Sequence, residues 1–134
     1  MIGSADALAR LFVYGTMRTG QTARTVIANA VVRCEPATMQ GALYLFPMGF
    51  PGYVEGDDAG VVQGEVVWLT DLAATFAMLD AYEGDDFVRV IRKVQLQNEP
   101  GSVWAWVYIL ADDDAVRLAE RIPGGDWVKH WKDV

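Results

Sequence analysis

The apolar segments of this 134-residue chain arrive in pairs. TMQGALYLF (38–46) is followed by VVQGEVVWL (61–69), and FVRVIRKVQLQ (87–97) by VWAWVYIL (103–110). These runs are rich in β-branched and aromatic residues and bounded by turn formers, which predicts strands. A further strand is expected at 10–14, where an apolar run stops at Gly15. Short helices are expected at 22–30 and 112–122. The clearest helix is DLAATFAMLDAYEG (71–84), with Leu72, Phe76 and Leu79 at i, i+4 and i+7. Thr70 or Asp71 is suited to cap its start, and Gly84 to follow its end. Strands that recur two in a row point to an α+β fold with a mixed or antiparallel sheet, not a doubly wound parallel one.

The length fits one domain, 1–134, with residues 1–9 read as a loose tail. Hydrophobic residues make up 52% of the chain, enough for a real core. Gly41 inside its strand marks a bulge or a close backbone approach. In 87–97, Val88, Val90, Val94 and Leu96 share one face, with Arg92 the exception on it. Residues 47–60 (PMGFPGYVEGDDAG) read as a long Pro/Gly loop, of a length that often carries function.

Composition excludes several classes of chemistry. The formal net charge is −7 and the basic residues form no run. Nucleic acids and anionic membranes are therefore not expected partners. Cys34 is the only cysteine and His130 the only histidine, so a zinc site of the usual kind cannot be built. Serine occurs only at positions 4 and 102, which disfavours nucleophilic hydrolysis. A lone cysteine fits a reducing compartment, and the N-terminus reads as neither signal peptide nor membrane span. A cytoplasmic location is expected.

Two features resist a purely structural reading. The first is the loop after the first strand, YGTMRTGQT (14–22). Its glycine spacing is close to that of a phosphate-binding loop, but Gln21 stands where the lysine belongs. A loop that keeps only its backbone donors suits a smaller anion, such as a carboxylate. The second is Glu83, which extends the stripe Leu72, Phe76, Leu79 by four more residues. That puts a carboxylate on the apolar face and in the last turn, where the helix dipole disfavours it. Both effects raise a carboxyl pKa, as a general base near neutral pH requires. Two plainer readings stand beside it: the side chain turns out to solvent, or it pairs with Arg89 or Arg92. Asp80, Asp85 and Asp86 follow the polar face or the loop and read as solvated.

YGTM (14–17) after a strand, PGYVEG (51–56) before VVQGEVVWL (61–69), LDAYEG (79–84), FVR (87–89) and GGDW (124–127) occur in that order. With this set the chain resembles the gamma-glutamylcyclotransferase-like family over roughly residues 10–128. The resemblance implies a compact fold around a small mixed β-barrel with flanking helices. It implies a γ-glutamyl substrate whose α-amine attacks its own side-chain carbonyl, releasing 5-oxoproline and a free amine or amino acid. No cofactor is needed. Glu83 would be the acid/base. Tyr14, Gly15, Thr16 and Met17 would bind substrate, with Pro51 and Gly52 as a pocket wall and Tyr108 and Tyr53 as further candidates for the lining. Met17 stands where the family often has Leu, and Phe87 where it often has Tyr. Arg89 is read as a structural ion-pair partner. The alternatives are a binding module for γ-glutamyl or other amino-acid-like ligands, and a phosphate binder, which the missing lysine disfavours.

Overall fold

The computed structural model describes residues 8–47, 49–55, 60–111 and 119–132, the last two without their side chains. In chain order the elements are β1 (Arg10–Val13), α1 (Arg24–Ile27), β2 (Val31–Gln40), β3 (Ala42–Leu45), β4 (Pro51–Val54), β5 (Val61–Leu69), α2 (Leu72–Glu83), β6 (Phe87–Leu96), β7 (Ser102–Leu110), β8 (Glu120–Arg121) and α3 (Trp127–Lys132). Five strands close a barrel in the order β1-β5-β2-β6-β7. All its pairings are antiparallel except the β1–β7 seam, which is parallel and registered at Leu11 with Trp106. A second sheet runs β4-β3-β8. The α+β class and the mixed barrel are thus as expected.

Period-two alternation divides the barrel strands between two cores. Phe12, Ala37, Met39, Val62, Val66, Val94, Leu96, Ala105 and Val107 form one buried cluster, which Leu43, Tyr53 and Ile122 join from the second sheet region. The neighbouring positions Leu11, Val13, Val67 and Leu69 belong to another, with Ile27 of α1 and Phe76 and Leu79 of α2. Both helices therefore cover the outer face of β1 and β5. Leu79 is fully buried there, so Leu79→Ala would cost about 2–5 kcal/mol. This packing fixes the end of α2 beside the end of β1.

The structure departs from the sequence reading in several places. β2 begins at residue 31, well before the expected 38. Its first half carries Pro36, which argues against a central strand. Registered pairing with β6 begins at Ala37, so Pro36 stands at the boundary of that ladder, where its carbonyl accepts from the Gln97 N–H at 3.0 Å. Of the two readings of Gly41, the close approach holds and the bulge does not: the Tyr53 ring packs where a Cβ would stand. Gly41 separates β2 from β3, and its φ of 149° lets the chain leave the barrel for the second sheet. The loop at 47–60 contains a strand, β4, which Pro51 opens; the first residue of a strand is one of the few strand positions that tolerate proline. Of the helix expected at 112–122, residues 112–118 lie outside the described residues, as do 1–7 of the expected tail. Glu120–Arg121 are a strand instead, paired with Tyr44 and Leu45, and the Ile122 N–H donates to the Leu43 carbonyl. Neither Thr70 nor Asp71 caps α2. Asp71 has a φ of 50° and no capping hydrogen bond, and the Thr70 hydroxyl donates to the Ala30 carbonyl. Gly84 does follow the helix, and its N–H donates to the Asp80 carbonyl.

Candidate functional site

A cavity of about 240 Å³ lies where the end of β1, the β3–β4 turn and the end of α2 converge. Tyr14, Gly15, Thr16 and Met17 line one side, Phe50 and Pro51 another, and Tyr82, Glu83, Asp86 and Phe87 a third, with Tyr108 of β7 between them. The loop and the carboxylate, separated by 66 residues in sequence (83 minus 17), thus meet across one space.

Each wall has a local cause. Gly15 is required for close approach: a Cβ there would lie 2.5 Å from Pro51 Cγ. Its absence lets the 14–17 turn and Pro51 come into contact. The turn closes on itself, with the Arg18 N–H donating to the Gly15 carbonyl (3.0 Å) and the Ala23 N–H to the Thr16 carbonyl (2.8 Å). The N–H groups of Thr16 and Met17 have no acceptor among the described residues. Tyr14 is buried, and its hydroxyl donates to the Tyr108 carbonyl at 2.7 Å, tying β1 to β7. The Tyr108 hydroxyl in turn donates to Asp80 Oδ1 at 2.7 Å. Burial pushes both phenols well above the usual tyrosine range, with the Glu83 charge adding to the rise at Tyr14 and Asp80 to that at Tyr108.

Glu83 is half-buried at the last residue of α2. Loss of solvent pushes its carboxyl up to about 7. It makes no hydrogen bond or ion pair among the described residues. The two arginines expected as its partners are engaged elsewhere. Arg89 grips Asp80 through Nε–Oδ1 (2.9 Å) and Nη2–Oδ2 (3.1 Å), and Arg92 grips Glu55 at 2.7 and 2.9 Å. Arg89 is therefore an ion-pair residue, as expected, while Asp80 is not simply solvated. No Lys or Arg among the described residues lines the cavity. The 14–17 turn offers uncharged donors to this space, the Thr16 and Met17 N–H groups among them.

Two other expected wall residues lie elsewhere. Gly52 is outside the cavity lining, packed beneath Phe46 and Leu110, where a Cβ would lie 2.5 Å from Phe46 Cε2. Tyr53 is in the barrel core, and its hydroxyl donates to the Gln40 carbonyl. Phe50, Tyr82, Asp86 and Phe87 line the cavity without having been singled out as walls. For the last three the signal was proximity, since each lies within four residues of Glu83. Phe87 meets Phe50 edge-on with ring centroids 5.7 Å apart, so Phe87 packs as an apolar wall. No group of three or more metal-ligating side chains gathers among the described residues. Nor is any described helix long and apolar enough to cross a membrane.

Comparison with known proteins agrees with this architecture. YkqA of Bacillus subtilis superposes with a TM-score of 0.73 at 24% identity; the match covers 94% of this chain and 42% of that one. An AIG2-like protein of Mus musculus superposes with a TM-score of 0.69 at 20% identity, over 90% of this chain and 94% of that one. These two likenesses speak to the fold. In sequence, the chain is 36% identical over 121 residues to a protein of Citrobacter rodentium named gamma-glutamylcyclotransferase family protein ytfP, covering 89% of this chain and 95% of that one. The model of one family, described as gamma-glutamyl cyclotransferase, AIG2-like, matches residues 11–129. The ordered motifs, the mixed barrel and this match agree: the chain belongs to the gamma-glutamyl cyclotransferase, AIG2-like family.

Proposed function

We propose that the chain is a cyclotransferase acting on small γ-glutamyl compounds, with Glu83 as its acid/base. The substrate's α-amine nitrogen attacks its own γ-carbonyl carbon. The bond from that carbon to the leaving nitrogen then breaks. The products are 5-oxoproline and a free amine or amino acid, and no water is consumed.

The observation that carries the reading is the state of Glu83. It is an unpaired carboxyl with its pKa raised to about 7, on the wall of a cavity whose opposite wall is the 14–17 turn. Such a group takes a proton from the attacking amine and returns one to the leaving nitrogen with little free-energy penalty in either direction. The free N–H groups of Thr16 and Met17 would hold the α-carboxylate, which suits a cavity whose described walls carry no cationic side chain. Binding accelerates the reaction by folding the glutamyl chain so that amine and carbonyl are in contact, a gain that needs no enzyme nucleophile.

The test is release of 5-oxoproline from γ-glutamyl amino acids, γ-glutamylamines and glutathione, with Glu83→Gln alongside. The expected result is release from one class, abolished in the variant while ligand binding persists. Undiminished release by Glu83→Gln would remove the mechanism. Ligand binding by a wild type that never turns over would favour a binding module instead.

A further inference from the structure

Glu65 sits on β5, across from Val13 of β1 and Pro36 of β2. It does not line the cavity. Its carboxylate nevertheless gathers donors from the turn that does. The Thr19 N–H reaches its two oxygens at 3.0 and 3.2 Å, and the Thr19 hydroxyl reaches Oε1 at 2.9 Å. Arg24 Nη1 reaches Oε1 at 2.9 Å and also donates to the Met17 carbonyl at 3.2 Å. The Cys34 thiol completes the set at 3.4 Å. One carboxylate on a rigid barrel strand thus holds residue 19 directly and residue 17 through Arg24. On the other flank, Arg18 Nη1 meets Asp126 Oδ1 at 2.8 Å. The Glu65 side chain is only 14% exposed and Arg24 19%, so solvent does little to loosen the bonds. Burial opposes its ionisation, but the donors of Thr19 and Arg24 outweigh it and hold the carboxyl below the usual range.

Resting on the cyclotransferase reading, we propose that Glu65 is a positioning residue, which from behind the cavity sets the 15–19 turn so that the Thr16 and Met17 N–H groups face the substrate's α-carboxylate. The Thr16 and Met17 N–H groups have no acceptor within the turn to fix their direction, and two N–H groups recognise a carboxylate only when both point at it. The strand-borne carboxylate supplies that order before substrate arrives. Arg24 is the second half of the strut: it neutralises Glu65 and carries its hold back to residue 17.

The experiment compares a γ-glutamyl substrate with its α-carboxamide counterpart, which keeps the amine and the scissile bond but removes the anion the turn would hold. Glu65→Gln preserves volume and discards the ion pair, and Arg24→Gln breaks the same strut from the helix side. In both variants KM for the carboxylate substrate is expected to rise by about tenfold or more, with KM for the carboxamide changing by less than about twofold. Discrimination between the two substrates therefore narrows. A merely structural role would lower the thermal midpoint and affect both substrates alike, and that result in both variants would overturn the strut alone. A wild type that releases no 5-oxoproline from any γ-glutamyl compound would overturn the cyclotransferase reading and the strut together.

Discussion

Asp80 and Glu83 lie one helical turn apart on α2, yet their environments push them in opposite directions. Asp80 is held below the usual carboxylate range, first by the Arg89 guanidinium and also by the Tyr108 hydroxyl. Glu83, with no partner, is pushed up to about 7 by loss of solvent. Neighbouring carboxyls whose environments drive their pKa values apart are a recurring feature of acid/base sites.

The pH dependence of activity follows from Glu83. A general base must be ionised in the free enzyme, so kcat/KM is expected to fall as pH drops through about 7. Glu83→Gln should reduce kcat by at least about a hundredfold. A pH–rate profile with 5-oxoproline as readout checks both. An acid limb centred near 4.5, the ordinary glutamate value, would mean that another group governs the rate.

Stability should move the other way. The folded-state pKa of Glu83 lies above its unfolded value, so the native state binds the proton more tightly. Its neutral form is tolerated at low pH, and the destabilisation grows as pH rises from about 4.5 through about 7. Glu83→Gln removes the charge that opposes folding. The variant is expected to be more stable than wild type at pH 8 by about 1–2 kcal/mol, after discounting for partial exposure. The difference should vanish near pH 4. Thermal unfolding at the two pH values would show it as a shift of a few degrees present only at the higher one. A variant both inactive and more stable is the signature of a carboxylate kept for chemistry.

Arg89 makes a different claim on the same helix. Its guanidinium lies 4.2 Å from the ring centroids of both Phe76 and Trp106 while holding Asp80 with two hydrogen bonds. Lysine reproduces neither the fork nor the flat contact. Arg89→Lys is therefore expected to destabilise by about 1–2 kcal/mol, mostly through lost stacking. The ionic share is below about 1 kcal/mol because Asp80 is nearly half exposed. That share is present above the unfolded aspartate pKa and fades as pH falls through the lower folded one. Urea unfolding at pH 7 and pH 3 should show the gap to wild type narrowing at the acid end.

Much of this site was legible because its parts follow short-range rules. The β5 strand, the α2 helix and the Gly84 stop are written in local periodicity and turn chemistry, and Glu83 was found as the polar residue on an apolar stripe. What stayed hidden depends on tertiary partners. β2 carries charges and Pro36 and becomes a strand only because β5 pairs along it. β8 exists because the edge of β3 is open to it. Glu65 reads in sequence as one polar position in an alternating strand, and nothing local announces that Thr19 and Arg24 converge on it. Gly52 and Tyr53 leave the cavity for different reasons: the pleat turns Gly52 to the opposite face from Pro51, beneath Phe46 and Leu110, while Tyr53, two residues further along β4, reaches into the barrel core.

Gly15 tests the contact between the turn and Pro51. A Cβ at residue 15 would lie 2.5 Å from Pro51 Cγ, and a proline ring has no flexible end to move aside. Gly15→Ala is expected to cost about 1–3 kcal/mol through overpacking and to lower kcat/KM as the turn is displaced. Pro51→Ala removes the clashing atom. The double variant should recover most of the stability lost, a coupling that unfolding of the two single variants and the double measures directly. Strict additivity would mean that the turn relaxes in another direction.

Cys34 reports on the strut from outside the cavity. Burial pushes its thiol up, and the Glu65 charge adds to the rise, against a lowering by Arg24. The thiolate is the reactive form, so alkylation by iodoacetamide at pH 8 is expected to be slower than that of an exposed cysteine by about tenfold or more. Glu65→Gln removes the negative neighbour and leaves Arg24 beside the sulfur, which lowers the thiol pKa and should accelerate the reaction. Arg24→Gln does the opposite and should slow it further. The two variants weaken the same hydrogen-bonded cluster but predict rate changes of opposite sign, because only the electrostatics at Sγ differ. Mass-spectrometric rates on folded protein read the sign; an acceleration in both would indicate that the cluster had opened to solvent and that exposure, not charge, controls the thiol.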